Sequence, residues 1–451
     1  MTDRHDPNDR LRALLGEAEW TSAALARAVN MAGAEIGLRL SYDRTSVSHW
    51  LSGTQPRRQV PQLVAEVLSR RLDRAVTAAS AGFRTPDGAA PAKDQVAPAG
   101  ASAIHQLTAL VGSDTDPLRR AVLQRTPYEA DPSLPSWRPT RRAPAARRAG
   151  RPSPRAASVG RTEVATLHSA VRAFASSLDR HGGGHARSAL CAYLADDVVP
   201  WLRHAGNSTV GQQLRRESAH LAFVLARQYE DSDMQGVAQR YFANTLLLAN
   251  EAGDPVTWAM ALRALSSQSL TLNHHDVALS QGERAFAALP PEAPQAVRSF
   301  VAAQLAVVRA RTDDRSGALA ALDDAEQAAD HTDDAPSPFT TYPRAALEFQ
   351  RAQTLRGLGD LTGAAKAVEA SLAHRSPDDR RGQALTCALR VQLLLHAGHV
   401  EEASANWKSF TRIGAGLQSA RVNRAGRSLR RAFLPYRSQA TVKAVLSAPD
   451  A

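Results

Sequence analysis

One pattern constrains this chain more than any other. Five times, at about forty-residue intervals, a turn is followed by a compact apolar residue that opens a helix. The pairs are Gly236-Val237, Val277-Ala278, Gly317-Ala318, Gly363-Ala364 and Glu402-Ala403, and their second residues are 41, 40, 46 and 39 positions apart. At +4 and +7 the same helix side continues, as Tyr241 and Asn244, Leu322 and Ala325, Val368 and Ser371, and Trp407 and Phe410. Amphipathic stretches such as 214–229, 237–249, 258–272 and 345–358 place apolar residues at three- and four-residue spacing. Glycines and prolines fall between them, and no strand-like alternation appears. A single helical pair cannot bury its apolar face alone, so the repeat predicts stacked pairs forming a solenoid with a concave surface. The expected fold is all-α.

In the second unit Ala278, Ala285 and Pro290 stand at 0, +7 and +12. Those offsets resemble the second helix of a tetratricopeptide repeat. The stretches from Trp258 to Ser266 and from Ala346 to Leu355 resemble its first helix. The family unit is 34 residues and the spacing here is longer, so HEAT-type helical arrays share the pattern. The resemblance spans roughly residues 160–435. It implies a binding role toward peptides, proteins, small molecules or a second copy, rather than catalysis.

Length and charge organise the rest. At about 100–200 residues per domain, 451 residues suggest two to four domains, and 43% hydrophobic residues suffice for a sizeable core. The net charge of +11 is unevenly spread. Residues 1–85 carry 12 basic and 9 acidic side chains, residues 86–161 carry 12 and 6, and residues 162–451 carry 31 and 29. From Arg138 to Arg161 there are eight arginines and no acid. A stretch of this composition cannot offset its chain entropy by burial and reads as disordered. The expected division is a small domain at 8–75, an Ala/Pro/Arg-rich basic linker at 76–161 with a possible helix at 104–123, repeats at 162–435 and a C-terminal helix or tail at 436–451. Two cysteines, Cys191 and Cys387, are too few for a disulfide framework or thiolate metal site. No apolar run is long enough to span a bilayer, and the first residues lack a signal peptide's apolar stretch. A cytoplasmic, nucleoid-associated location is expected.

The sharpest motif lies in residues 8–75. Thr21 to Val29 reads as a helix capped by Thr21 or Ser22. Next comes the run from Ser41 to Arg58, SYDRTSVSHWLSGTQPRR. Val47, Trp50 and Leu51 share one helix face and should pack on Leu25 and Val29. Asp43, Arg44, Thr45, Ser48 and His49 then face away, with side chains of the kind that reach base edges in the major groove. Gly53 ends the helix, and 60–72 supplies a further amphipathic helix.

This order resembles the lambda-repressor-like (XRE) helix-turn-helix domain, and more closely the actinobacterial regulators that carry the Tyr-Asp-Arg-Thr-Ser-Val-x-His-Trp-Leu pattern. The resemblance implies double-stranded DNA as partner, with Arg44, Thr45, Ser48, His49 and Asp43 at the bases. Arg57 and Arg58 would hold phosphates, with Ser22 and Thr54 adding neutral contacts. The interval from Leu25 to Val47 exceeds the usual one by about ten positions, so Asn30–Leu40 must lengthen the helix or the turn. A single module of this size binds weakly, so a homodimer on a two-fold site is expected, with repression the expected sign. The alternative is a repeat-based protein–protein adaptor with a non-specific or vestigial helix-turn-helix. Catalytic patterns are missing. The run from His181 to Gly184 lacks the Gly-x-Ser-x-Gly elbow it would need. His181 and His185 flank three glycines, and His274-His275 reads as a turn without a carboxylate beyond Asp276. No cofactor, metal or enzyme activity is expected.

Overall fold

A computed structural model of the chain describes residues 6–57, 59–74, 76–83, 102–132, 134–138, 160–329 and 342–447. It is all-helical, with no strand among the described residues. The N-terminal module contains α1 (Asp9–Glu17), α2 (Ser22–Glu35), α3 (Arg44–Leu51) and α4 (Val60–Leu72). Thr21 caps α2, its hydroxyl accepting from the Ala24 N–H at 3.2 Å. The sequence expectation of a helix near 21–29 is thus met by a longer one. The interval between Leu25 and Val47 is taken up both ways, by extension of α2 to Glu35 and by a turn over 36–43. Leu25, Val29, Val47 and Trp50 share one core with Leu11, Leu63 and Leu68.

The segment after the module contains α5 (Ala103–Thr115) and α6 (Pro117–Leu123). The possible helix at 104–123 is present as these two helices. Ala103, Leu107, Val111 and Leu123 are buried in the same core as the first repeats. Asp114 bolts α5 in place: its carboxylate accepts from Tyr229 (2.6 Å), Tyr241 (2.9 Å) and the Cys191 thiol (2.7 Å). The arginine-rich run, apart from Arg138 and its last residues, lies outside the described residues.

Then come α7 (Arg161–His181) and α8 (Arg187–Tyr193), the latter continuing through a π-helical turn at Leu194–Val198 into α9 (Val199–His204). Five helical pairs follow: α10 (Thr209–Asp231) with α11 (Gln235–Ala252), α12 (Pro255–Thr271) with α13 (His275–Ala287), α14 (Gln295–Arg311) with α15 (Arg315–Ala329), α16 (Arg344–Gly357) with α17 (Leu361–His374), and α18 (Arg380–His396) with α19 (Val400–Gly414). The chain closes with α20 (Ala420–Phe433) and α21 (Ala440–Ser447).

The forty-residue period has a simple local origin. Each pair turns through one left-handed residue: Asp233, Asn273, Asp313, Gly359 and Gly398, with φ between 59° and 81°. Asp, Asn and Gly are the residues that tolerate this conformation. Four or five positions later comes the anchor, and Val237, Ala278, Ala318, Ala364 and Ala403 are all fully buried. A small side chain there lets the second helix lie close against the first. The one long interval, 46, reflects the connection over 330–343 between α15 and α16.

The array does not stay open. Arg381 at the start of α18 pairs with Asp231 at the end of α10, 2.6 Å apart, with both side chains buried. Arg424 of α20 pairs with Asp233 at 2.5 Å. The triple glycine after α7 completes the seam. His181 C=O accepts from the Gln418 N–H, and Gly184 N–H donates to the Gln418 C=O, both at 2.8 Å. Gly183 N–H donates to Asp231 at 2.8 Å. A Cβ on Gly183 would stand 2.3 Å from the Gln228 carbonyl oxygen, and Gly182 has φ +88°. The glycines allow the ends of the array to meet.

Candidate functional site

Two surfaces carry chemistry. On α3, Asp43 caps the helix, accepting from the Ser46 N–H and hydroxyl at 2.9 Å each. These bonds hold its carboxyl below the usual range, and they tie Asp43 to the backbone, away from the base-reading role the sequence suggested. Val47 and Trp50 point inward, and Tyr42 packs edge-on against Trp50 at 5.0 Å. Arg44, Thr45, Ser48 and His49 are exposed side by side. The Ser48 hydroxyl donates to the Arg44 carbonyl at 3.0 Å. Thr54 and Arg57 are exposed in the following loop, Ser22 is half-buried at the start of α2, and Arg58 lies outside the described residues. Asn30, unmarked in the sequence reading, sets the geometry. Its amide donates to the Tyr42 carbonyl (2.8 Å) and accepts from the Tyr42 N–H (2.9 Å), fastening the turn before α3 to α2.

The module is seated on the repeats through α4. Here the sequence reading of His274-His275 is corrected, because the missing carboxylates come from about 200 positions upstream. Glu66 pairs with buried His274 at 3.1 Å, and Asp73 accepts from the His275 N–H at 2.6 Å. Tyr128 stacks on His274 at 5.3 Å, and its hydroxyl meets the Ser269 hydroxyl at 2.8 Å. On the module side Arg70 bridges Glu66 (2.7 Å) and Glu35 (2.9 Å). The module therefore directly contacts the turn between α12 and α13 and the first residue of α13.

The second surface is a cavity of about 320 Å³ on the inner side of the closed array. The first helix of every pair contributes, joined by α7 and by Arg421 of α20. Five arginines line it: Arg227, Arg263, Arg375, Arg381 and Arg421. Four have a carboxylate within 4.0 Å, supplied by Glu230, Asp379, Asp231 and again Glu230. Burial acts to raise Asp231, but Arg381 outweighs it and holds the carboxyl below its usual range. Asp179 opens to the cavity solvent yet is surrounded by protein, and burial, then Asp379, pushes it up to about 6. Phe223, Phe300 and Phe349 supply apolar walls. None of these residues was singled out as a site in the sequence reading.

Other reactive groups are locked. Burial, then Asp114, pushes the Cys191 thiol upward, so it stays protonated. His181 and His185 bring their rings to 4.4 Å, but no group of three or more potential metal ligands occurs among the described residues. Among those residues, no helix is long and apolar enough to cross a membrane.

Residues 11–84 match the model of the SP15 N-terminal domain, a stretch that coincides with the module core and its trailing turn. No curated protein matches the chain. A similar solved chain belongs to the crystal structure of the APC/C hetero-tetramer Cut9-Hcn1, at 13% identity and a TM-score of 0.35, covering 94% of this chain and 73% of that one. The module is thus similar to the SP15 N-terminal domain, while the closed helical array rests on its own geometry.

Proposed function

We propose that the chain is a sequence-specific DNA-binding regulator whose α3 reads double-stranded DNA and whose repeat array holds a signal ligand. The observation that carries this reading is the outer face of α3. Arg44, Thr45, Ser48 and His49 stand exposed together while Val47 and Trp50 fix the opposite face in the core. A short helix presented this way, with a basic loop residue at Arg57 beside it, has the donors that major-groove edges and phosphates accept. Pairing of two chains on a two-fold site would raise affinity through effective concentration. The seat at His274 supports a link between the two halves, because Ser267, Leu270 and Thr271 line the cavity just before it.

Selection of bound sequences from a random duplex pool by the full chain tests the reading. One enriched motif is expected, and Arg44→Ala with His49→Ala should lose about 1–3 kcal/mol of discrimination per base contact. Equal affinity for every duplex in both proteins would leave the adaptor role in its place.

A further inference from the structure

We propose that the cavity on the inner side of the array binds a small organic anion, its acidic group at Arg263 and its apolar body against Phe223, Phe300 and Phe349. This rests on the repeats being the ligand-holding half of the protein, and is independent of what α3 binds.

Arg263 is the exception among the cavity arginines. Only 7% of it is exposed, and its guanidinium lies over the Phe300 ring at 3.9 Å. Its Nε donates to the Phe300 carbonyl at 3.4 Å. Among the described residues no carboxylate comes within 4.0 Å of it. Burial pulls it down to about 10; Tyr342 and the more distant Glu230 offset part of that, while Arg227 and Arg421 add repulsion. A buried guanidinium with no carboxylate in direct contact is costly, and an incoming anion relieves that cost. Arg375 and Arg381, in the same cavity, already have their carboxylates.

Two neutral groups stand unused beside it. Gln304, 2% exposed, leaves its Nε2 without a hydrogen-bond partner, and so does the hydroxyl of Tyr342. Gln304 lies one helical turn beyond Phe300 on α14, and Tyr342 packs edge-on against Phe300 at 5.3 Å. Buried polar atoms are almost always satisfied, so a cationic group and two unpaired polar atoms around one aromatic ring mark a place for a polar ligand head.

Size sets the class. Ligand pockets run from about 300 to 1,000 Å³, and this cavity lies at the lower end. The seam at Gly182–Gly184 and Gln418 joins the ends of the array, so the inner face offers a bounded, half-open pocket and not the long trough an extended peptide needs.

Fluorescence titration of the full chain tests this with 1-anilinonaphthalene-8-sulfonate and its uncharged relative N-phenyl-1-naphthylamine. The sulfonate should bind about tenfold more tightly than the amine, the difference one charge-assisted contact supplies. Arg263→Met should lower sulfonate affinity by about tenfold and leave the amine within about twofold. Gln304→Leu, a milder change should the first variant fold poorly, should lower sulfonate affinity by about threefold to tenfold. 2-Naphthoate should displace the sulfonate. No sulfonate binding, equal losses of both dyes in Arg263→Met, or displacement by an acidic hexapeptide but not by 2-naphthoate would each overturn the proposal. Loss of dye binding alone leaves the DNA reading standing, and loss of DNA selectivity alone leaves this one.

Discussion

On α3 the outward-facing residues lie within six positions of one another, from Arg44 to His49. Around the cavity the lining runs from Ala175 to Arg421 and draws on seven helices. The first surface depends on one short helix held by a cap, a tryptophan and a single asparagine clamp. The second exists only because the ends of a long array meet. A local surface can be damaged residue by residue, whereas an assembled one should fail as a whole when its seam opens.

The largest effect should come from the seam. Arg381→Ala leaves Asp231, which is fully buried, without its counter-charge, and breaking such a pair costs about 3–5 kcal/mol. Urea unfolding should show that loss together with disappearance of dye binding, while selectivity for DNA persists. A change under about 1 kcal/mol would mean the ends are held elsewhere. Gly183→Ala attacks the same seam sterically, because its new Cβ meets a backbone carbonyl. A loss of about 1–3 kcal/mol is expected for such overpacking, and an unchanged melting temperature would show that the seam has room to yield.

Asn30→Ala probes the other region. Two hydrogen bonds to Tyr42 disappear, at a cost of about 1–3 kcal/mol. Hydrogen exchange should speed up in the 36–43 turn and α3, with no change in dye affinity. Altered dye binding in this variant would show that the two regions are not separable.

The smallest effect concerns acidity at the cavity. Burial, then Asp379, pushes Asp179 up from its ordinary 3.8 to about 6, with Arg381, Arg227 and Arg375 pulling the other way. As pH falls through 6 the folded protein binds this proton before the unfolded chain does, so folding is favoured on the acid side of that step. A negative charge near the ligand is removed over the same range. Sulfonate affinity should therefore rise by about twofold to threefold between pH 7.5 and 5.5, and Asp179→Asn should flatten the profile. A rise that survives Asp179→Asn would assign the effect to another group.

The contrast also explains what was legible beforehand. The five anchors follow from local rules: a left-handed turn residue, then a small side chain where two helices touch. Trp50 and Val47 were readable for the same reason, since one short helix has two faces. Arg263 was not, because within Trp258–Ser266 it looks like any solvated arginine on an amphipathic helix, and its burial comes from elements far along the chain. His274 carried no signal either, as its partner Glu66 lies 208 positions away. The three glycines between His181 and His185 were visible in the sequence, but what they close was set by Gln418.

The seam has a further consequence for how such a chain can change over generations. An open array can gain or lose a unit at either end and remain serviceable, since each unit touches only its neighbours. Here the first pair must meet the last helices at a fixed register, Asp231 to Arg381 and Gly184 to Gln418. Duplicating or deleting one pair would carry those partners past each other. Five is therefore a count the molecule cannot drift from gradually, and variation is channelled into the side chains that line its interior.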